Sequence, residues 1–171
     1  MEFHTDREAA LYSTLKQVLH NHVVHQQIPY QETLAACTSV LGYVLYVMLE
    51  DWTEVPGLVE STLDELQQRL HTRAQEGEPQ LPSFQEYTAD AELADSWQDL
   101  GTALADYLTT AGLEHDMSVA ATWRAYLALL ADLYAMPLHD GAYTLPEAEA
   151  AIMALRGRLP AVMQLWAEEQ S

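Results

Sequence analysis

The run HNHVVH places histidines at His20, His22 and His25. Imidazole is the commonest protein ligand for transition metals. His22 and His25 are three residues apart and share one face of a helix. Zinc, however, needs three or four ligands in fixed geometry, and neither HExxH nor CxxC spacing occurs. The same histidines continue the apolar stripe of Leu11, Leu15 and Val18, so packing explains them more simply. The expectation is a protein without a metal or other cofactor, with His22 and His25 as the alternative metal ligands.

Carboxylates are the more abundant chemistry. Glu92, Asp95, Asp99 and Asp106 follow one another at three-, four- and seven-residue steps. On a helix they form an acidic row about 21 Å long, opposite Leu93, Trp97, Leu100 and Leu104. Such a row is either the solvated face of an amphipathic helix or a docking strip for Arg and Lys side chains. A further reading of the row is a mimic of a nucleic-acid phosphate backbone. Aromatic residues offer a third possibility, with Trp52, Trp97 and Trp123 lining an apolar ligand pocket. At helical spacing such residues more often form core.

Covalent catalysis finds little foothold. Cys37 lies in the most apolar part of the chain, where burial raises a thiol pKa and suppresses reactivity. No GxSxG elbow, P-loop or Gly-rich dinucleotide turn is present, nor paired ExxH motifs for a di-metal bundle. The expectation is a protein that is not an enzyme.

Charge narrows the choice further. Asp and Glu number 26 against seven Lys and Arg, a formal net charge of −19 with His neutral. That field repels nucleic acid and anionic membranes and favours basic protein surfaces. The single cysteine excludes an internal disulfide, and MEFHTDREAA lacks a signal-peptide layout, so a cytoplasmic location is expected. The sequence sets no oligomeric state.

All-helical elements must position these residues. Thr5 and Glu8 form a capping box for a helix over 6–26. Pro29 opens a second over 30–51, and Thr53 caps a third, with Pro56 in its first turn, ending near Gly77. A fourth helix spans 90–111 and stops at Gly112. A fifth, capped by Asp116 or Ser118, ends at Met136 before Pro137. Thr144 and Glu147 cap a sixth, which Gly157 and Pro160 should kink or interrupt. The uncharged run from Thr33 to Leu49 falls short of the about 20 apolar residues that span a bilayer, and no Lys or Arg flanks it. It reads as the centre of a bundle.

The chain, 1–171, is therefore expected to be one all-α six-helix domain. A shift of 85 residues lays Leu15 and Leu19 on Leu100 and Leu104, and Ala35 and Ala36 on Ala120 and Ala121. This suggests two related three-helix halves, 5–76 and 89–169, with a Pro/Gly-containing linker at 77–88. The expected function is binding of a basic protein surface, as inhibitor, adaptor or chaperone-like protein. The alternative is a ligand-binding or sensory helical domain built on the aromatic pocket.

Overall fold

A computed structural model describes residues 3, 5–76, 96–114 and 118–170, with the backbone alone at 96–99, 111–114 and 170. The described residues form an all-α bundle: α1 (Asp6–Gln26), α2 (Tyr30–Met48), α3 (Val55–Gln75), α4 (Ser96–Glu114), α5 (Val119–His139), α6 (Leu145–Met153) and α7 (Leu155–Gln170). The proposed linker 77–88 lies outside the described residues.

Local chemistry accounts for most boundaries. Thr5 Oγ1 accepts from the Glu8 amide at 3.2 Å and Glu8 returns the bond to the Thr5 amide at 3.2 Å, so α1 starts at Asp6. Its buried residues Leu11, Leu15, Leu19 and Val23 recur at four-residue steps. Gln27 then takes a left-handed conformation (φ 52°) and closes the helix. The second helix ends at Met48, earlier than its composition suggests. Asp51, rather than Thr53, caps the next segment: its carboxylate accepts from the Thr53 amide at 3.0 Å while Glu54 accepts from the Asp51 amide at 2.9 Å. This capping box starts a short 3-10 turn, Trp52–Glu54, that feeds α3. The fourth helix runs past Gly112 to Glu114. The last helical stretch breaks at Ala154, between α6 and α7, while Pro160 sits within α7.

The most informative departure is at Pro137, which lies inside α5 rather than beyond it. A proline cannot donate to the carbonyl four residues back, here that of Leu133. The buried Tyr30 hydroxyl donates to that carbonyl at 2.8 Å. The Pro137 carbonyl in turn accepts from the amides of Ala142 and Tyr143 at 2.8 and 3.1 Å, turning the chain through Gly141 (φ 77°). The helix therefore survives its proline because a side chain from α2 satisfies the group the proline abandons.

α2 and α5 form the centre. Both are buried on nearly every side, and the Tyr126 hydroxyl of α5 donates to the Cys37 carbonyl of α2. Around them, α1 and α3 pack on α5, and α4 and α7 pack on α2. Exchanging α1 with α4, α2 with α5, and α3 with α7 carries these covering contacts onto one another, while the packing of α6 on α5 has no comparable counterpart between α3 and α2. The leucine pairs 85 residues apart, Leu15 and Leu100, Leu19 and Leu104, are all fully buried in one continuous core. The strongest packing throughout joins a helix of 5–76 to one of 96–170. Among the described residues, no helix is long and apolar enough to cross a membrane.

Gly42 lets α7 approach α2. A Cβ there would lie 2.3 Å from Val162 Cγ1, 3.0 Å from Val162 Cβ and 3.5 Å from the Met163 amide. A β-branched valine held by its own helix cannot swing clear. Gly42→Ala should therefore lower stability by about 1–3 kcal/mol, although the same exchange in an exposed helix stabilises. The loss should shrink in a Val162→Ala background, measured by urea unfolding. Tyr30→Phe should cost about 1–3 kcal/mol, and less in a Pro137→Ala chain whose new amide can serve Leu133. Equal losses in both backgrounds would show that the hydroxyl and the proline are unconnected.

Candidate functional site

With so few cations in the chain, their positions decide the shape of its electrostatic surface. Arg73, in the last turn of α3, is 5 % exposed and Asp132 of α5 is 2 % exposed, so water and substrates do not reach the pair. Arg73 Nε donates to Asp132 Oδ1 at 2.6 Å, and the Tyr12 hydroxyl of α1 donates to Oδ2. Lys16 Nζ lies 4.7 Å from the Tyr12 ring centroid, and Arg73 Cζ lies 6.0 Å from it. His139 Nε2 sits 3.1 Å from the Arg73 carbonyl. One carboxylate thus ties α1, α3 and α5 together.

Three further arginines are committed in the same way. Arg124 of α5 donates to Glu8, a fully buried residue that also closes the α1 capping box. Arg156 of α7 forks onto Glu60 of α3, with Nη2 at 3.1 Å from Oε2, which holds the Glu60 carboxyl below its ordinary range. Arg69 lies 3.4 Å from Glu65 one turn away. At least four of the seven cations are therefore set against carboxylates of the chain itself. The remaining acids dominate the surface, with Asp6, Glu54, Asp64, Asp106, Glu147 and Glu169 among the exposed ones.

Of the acidic row, Asp106 is exposed on α4, on the far side from Leu104 and Leu108, which are buried. Glu92 and Asp95 lie outside the described residues, as does the side chain of Asp99. The three tryptophans are not all placed: the side chain of Trp97 lies outside the described residues. Trp123 of α5 is half-buried, and its indole N–H donates to Thr62 of α3 at 3.1 Å. Trp52 stands 44 % exposed at the α2–α3 corner, tilted against Tyr46 with ring centroids 6.3 Å apart. It lines a surface hollow with Tyr46, Val47, Leu49, Glu50 and Asp51, and Trp123 does not line it.

His22 Nδ1 is 2.9 Å from the Val18 carbonyl of its own helix, and His25 is exposed. Among the described residues no three His, Cys, Asp or Glu side chains converge as a metal site would require. Burial pushes the Cys37 thiol up to about 12, so it stays protonated and inert at neutral pH.

The corner is the feature sequence reasoning missed. Its signal was legible as the spacing Asp51-Trp52-Thr53-Glu54 ahead of Pro56, a capping box that stops α2 early and turns Trp52 outward. The chain matches no protein-family model, no curated protein and no solved structure, so its surface chemistry carries the functional argument.

The buried network makes a stability prediction. Burial raises the Asp132 pKa, against the opposing pull of the Tyr12 hydrogen bond, Arg73 and Lys16. A carboxyl with a raised native pKa adds stability fully below its unfolded value, and loses it as pH rises through the native one. Desolvation thus outweighs pairing at neutral pH. Asp132→Leu alone should cost about 3 kcal/mol, because it removes the buried partner of Arg73 Nε and leaves the guanidinium with Glu76 at 3.7 Å. The combination Tyr12→Phe, Arg73→Met, Asp132→Leu should be at least as stable as the parent by urea unfolding. A loss in the triple variant as large as in Asp132→Leu would mean that pairing outweighs burial.

Proposed function

We propose that this protein is not an enzyme and that it acts by binding the basic surface of another protein, as an inhibitor, adaptor or chaperone-like factor. The observation that carries this reading is the pairing of its arginines with carboxylates of the chain itself. A net charge of −19 would mean less if cations were interspersed over the surface. Instead Arg73 and Arg124 are paired with buried carboxylates, and Arg69 and Arg156 lie against Glu65 and Glu60, so none of the four faces a partner as an isolated positive charge. A negative field steers basic partners and repels nucleic acid. The acidic row Glu92, Asp95, Asp99 and Asp106 is one strip on which a partner could dock. The ligand-pocket alternative has less support, because Trp52 and Trp123 sit in different surroundings.

Affinity capture followed by a salt series tests the reading. Partners recovered at about 50 mM salt should be strongly basic and should be released by about 500 mM, where screening shortens the reach of each charge to a few ångströms. Asp95→Lys with Asp99→Lys should slow association more than Glu168→Lys with Glu169→Lys, which changes net charge equally. Equal effects would assign binding to bulk charge and remove the row. Capture of only neutral or acidic partners, or capture indifferent to salt, overturns the proposal.

A further inference from the structure

Exposed large apolar side chains are few among the described residues: Val24, Val47, Trp52, Val119 and Leu165. Val24 stands at the end of α1 among His20, Asn21, His25 and Gln26, a surface without acidic residues. Val47 and Trp52 differ from the rest in lining one hollow together, and that hollow is rimmed by Glu50 and Asp51. A second hollow beside the Leu49–Glu54 connection has an apolar side, Met48, Leu49, Leu58 and the bare backbone of Gly57, and a polar side of Thr53, Glu54 and Ser61. Leu49 lines both hollows.

The corner combines recognition chemistries that match a single kind of occupant. An exposed indole is the side chain best suited to a cation above its face. The capping box holds the Asp51 and Glu54 carboxylates in place, so they need no ordering when a ligand arrives. No Lys or Arg occurs between Lys16 and Arg69, so α2, the corner and the first two-thirds of α3 contribute no positive charge of their own. Apolar surface beside fixed negative charge calls for a segment that is both aliphatic and cationic.

We infer that the α2–α3 corner is the docking site for a basic segment of a partner protein. An Arg or Lys head group of the partner lies over Trp52 beside Glu50 and Asp51. A neighbouring aliphatic side chain fills the hollow between Met48, Leu49 and Leu58, over Gly57. This rests on the reading of the protein as a binder of basic partners, and it replaces a diffuse charge preference with a defined two-pocket site.

Gly57 offers a clean test. A Cβ added there meets nothing within 4 Å, so Gly57→Leu should plug the second hollow while leaving the fold intact. The probes are three fluorescent peptides, blocked at both ends, that alternate arginine with leucine, arginine with glutamine, or glutamine with leucine. Binding is read by anisotropy at about 150 mM salt. The arginine–leucine peptide should bind most tightly, and Gly57→Leu and Trp52→Ala should each weaken it about tenfold, the size of an interface hot spot. Glu50→Lys should weaken it more than Glu169→Lys, which alters net charge identically at the far end of the chain. Circular dichroism establishes that each variant is folded. If both arginine peptides bind alike and ignore the corner variants, the docking site is wrong while the basic-partner reading stands. If neither arginine peptide binds, both fall.

Discussion

A helix that is buried on nearly every side must be surrounded by other helices, and the described residues include two such helices. α2 and α5 bury almost their whole circumference, and the remaining helices are arranged as their cover. Such burial carries a polar requirement as well as an apolar one. Every backbone group removed from water must find a partner, and the bundle centre meets this with hydroxyls as well as helix bonds. Tyr30 serves the Leu133 carbonyl, Tyr126 serves that of Cys37, and Trp166 of α7 donates to Ser39 at 2.8 Å. The two tyrosines both fill the core and answer a carbonyl.

The exchange symmetry of the packing follows from the same constraint. Two central helices each need a cover on both flanks, and α1 and α3 supply it to α5 while α4 and α7 supply it to α2. Indole N–H groups bridge corresponding flanks: Trp123 joins α5 to α3, and Trp166 joins α7 to α2. Because each half covers the other's central helix, the core is a joint product of both.

Electrostatics is organised around scarcity. Of the few cations, Arg73 and Arg124 pair with carboxylates that are almost fully buried, and Arg156 clamps α7 to α3. These placements spend positive charge on joining helices. The result is a molecule whose outer surface has little to balance its acids, and it is on this imbalance that the proposed basic partner rests. The exposed Trp52 and Val47 add the apolar component that charge alone lacks, since unscreened attraction steers a partner but gives it no register.

Much of the fold was legible in the sequence because it depends on near neighbours. The Thr5–Glu8 and Thr144–Glu147 boxes, the four-residue leucine steps of α1 and the uncharged run of α2 all act within one or two helical turns. Capping and periodicity are satisfied locally, so their residues announce the structure they form. The overall negative charge was equally plain, since it requires only counting. What tertiary structure alone decided were the pairings between distant positions: Tyr12 with Asp132 across 120 residues, Arg124 with Glu8 across 116, and Tyr30 with Leu133 across 103. Pro137 illustrates the difference. Read locally it ends a helix, because its neighbours in sequence cannot replace the bond it removes. In the folded bundle a hydroxyl from another helix serves that carbonyl, and α5 continues. The same holds for Gly42, whose value depends on Val162, and for the corner, where an early cap turns Trp52 toward solvent. Such partners are set by which faces pack together, and no spacing within a single helix records that choice.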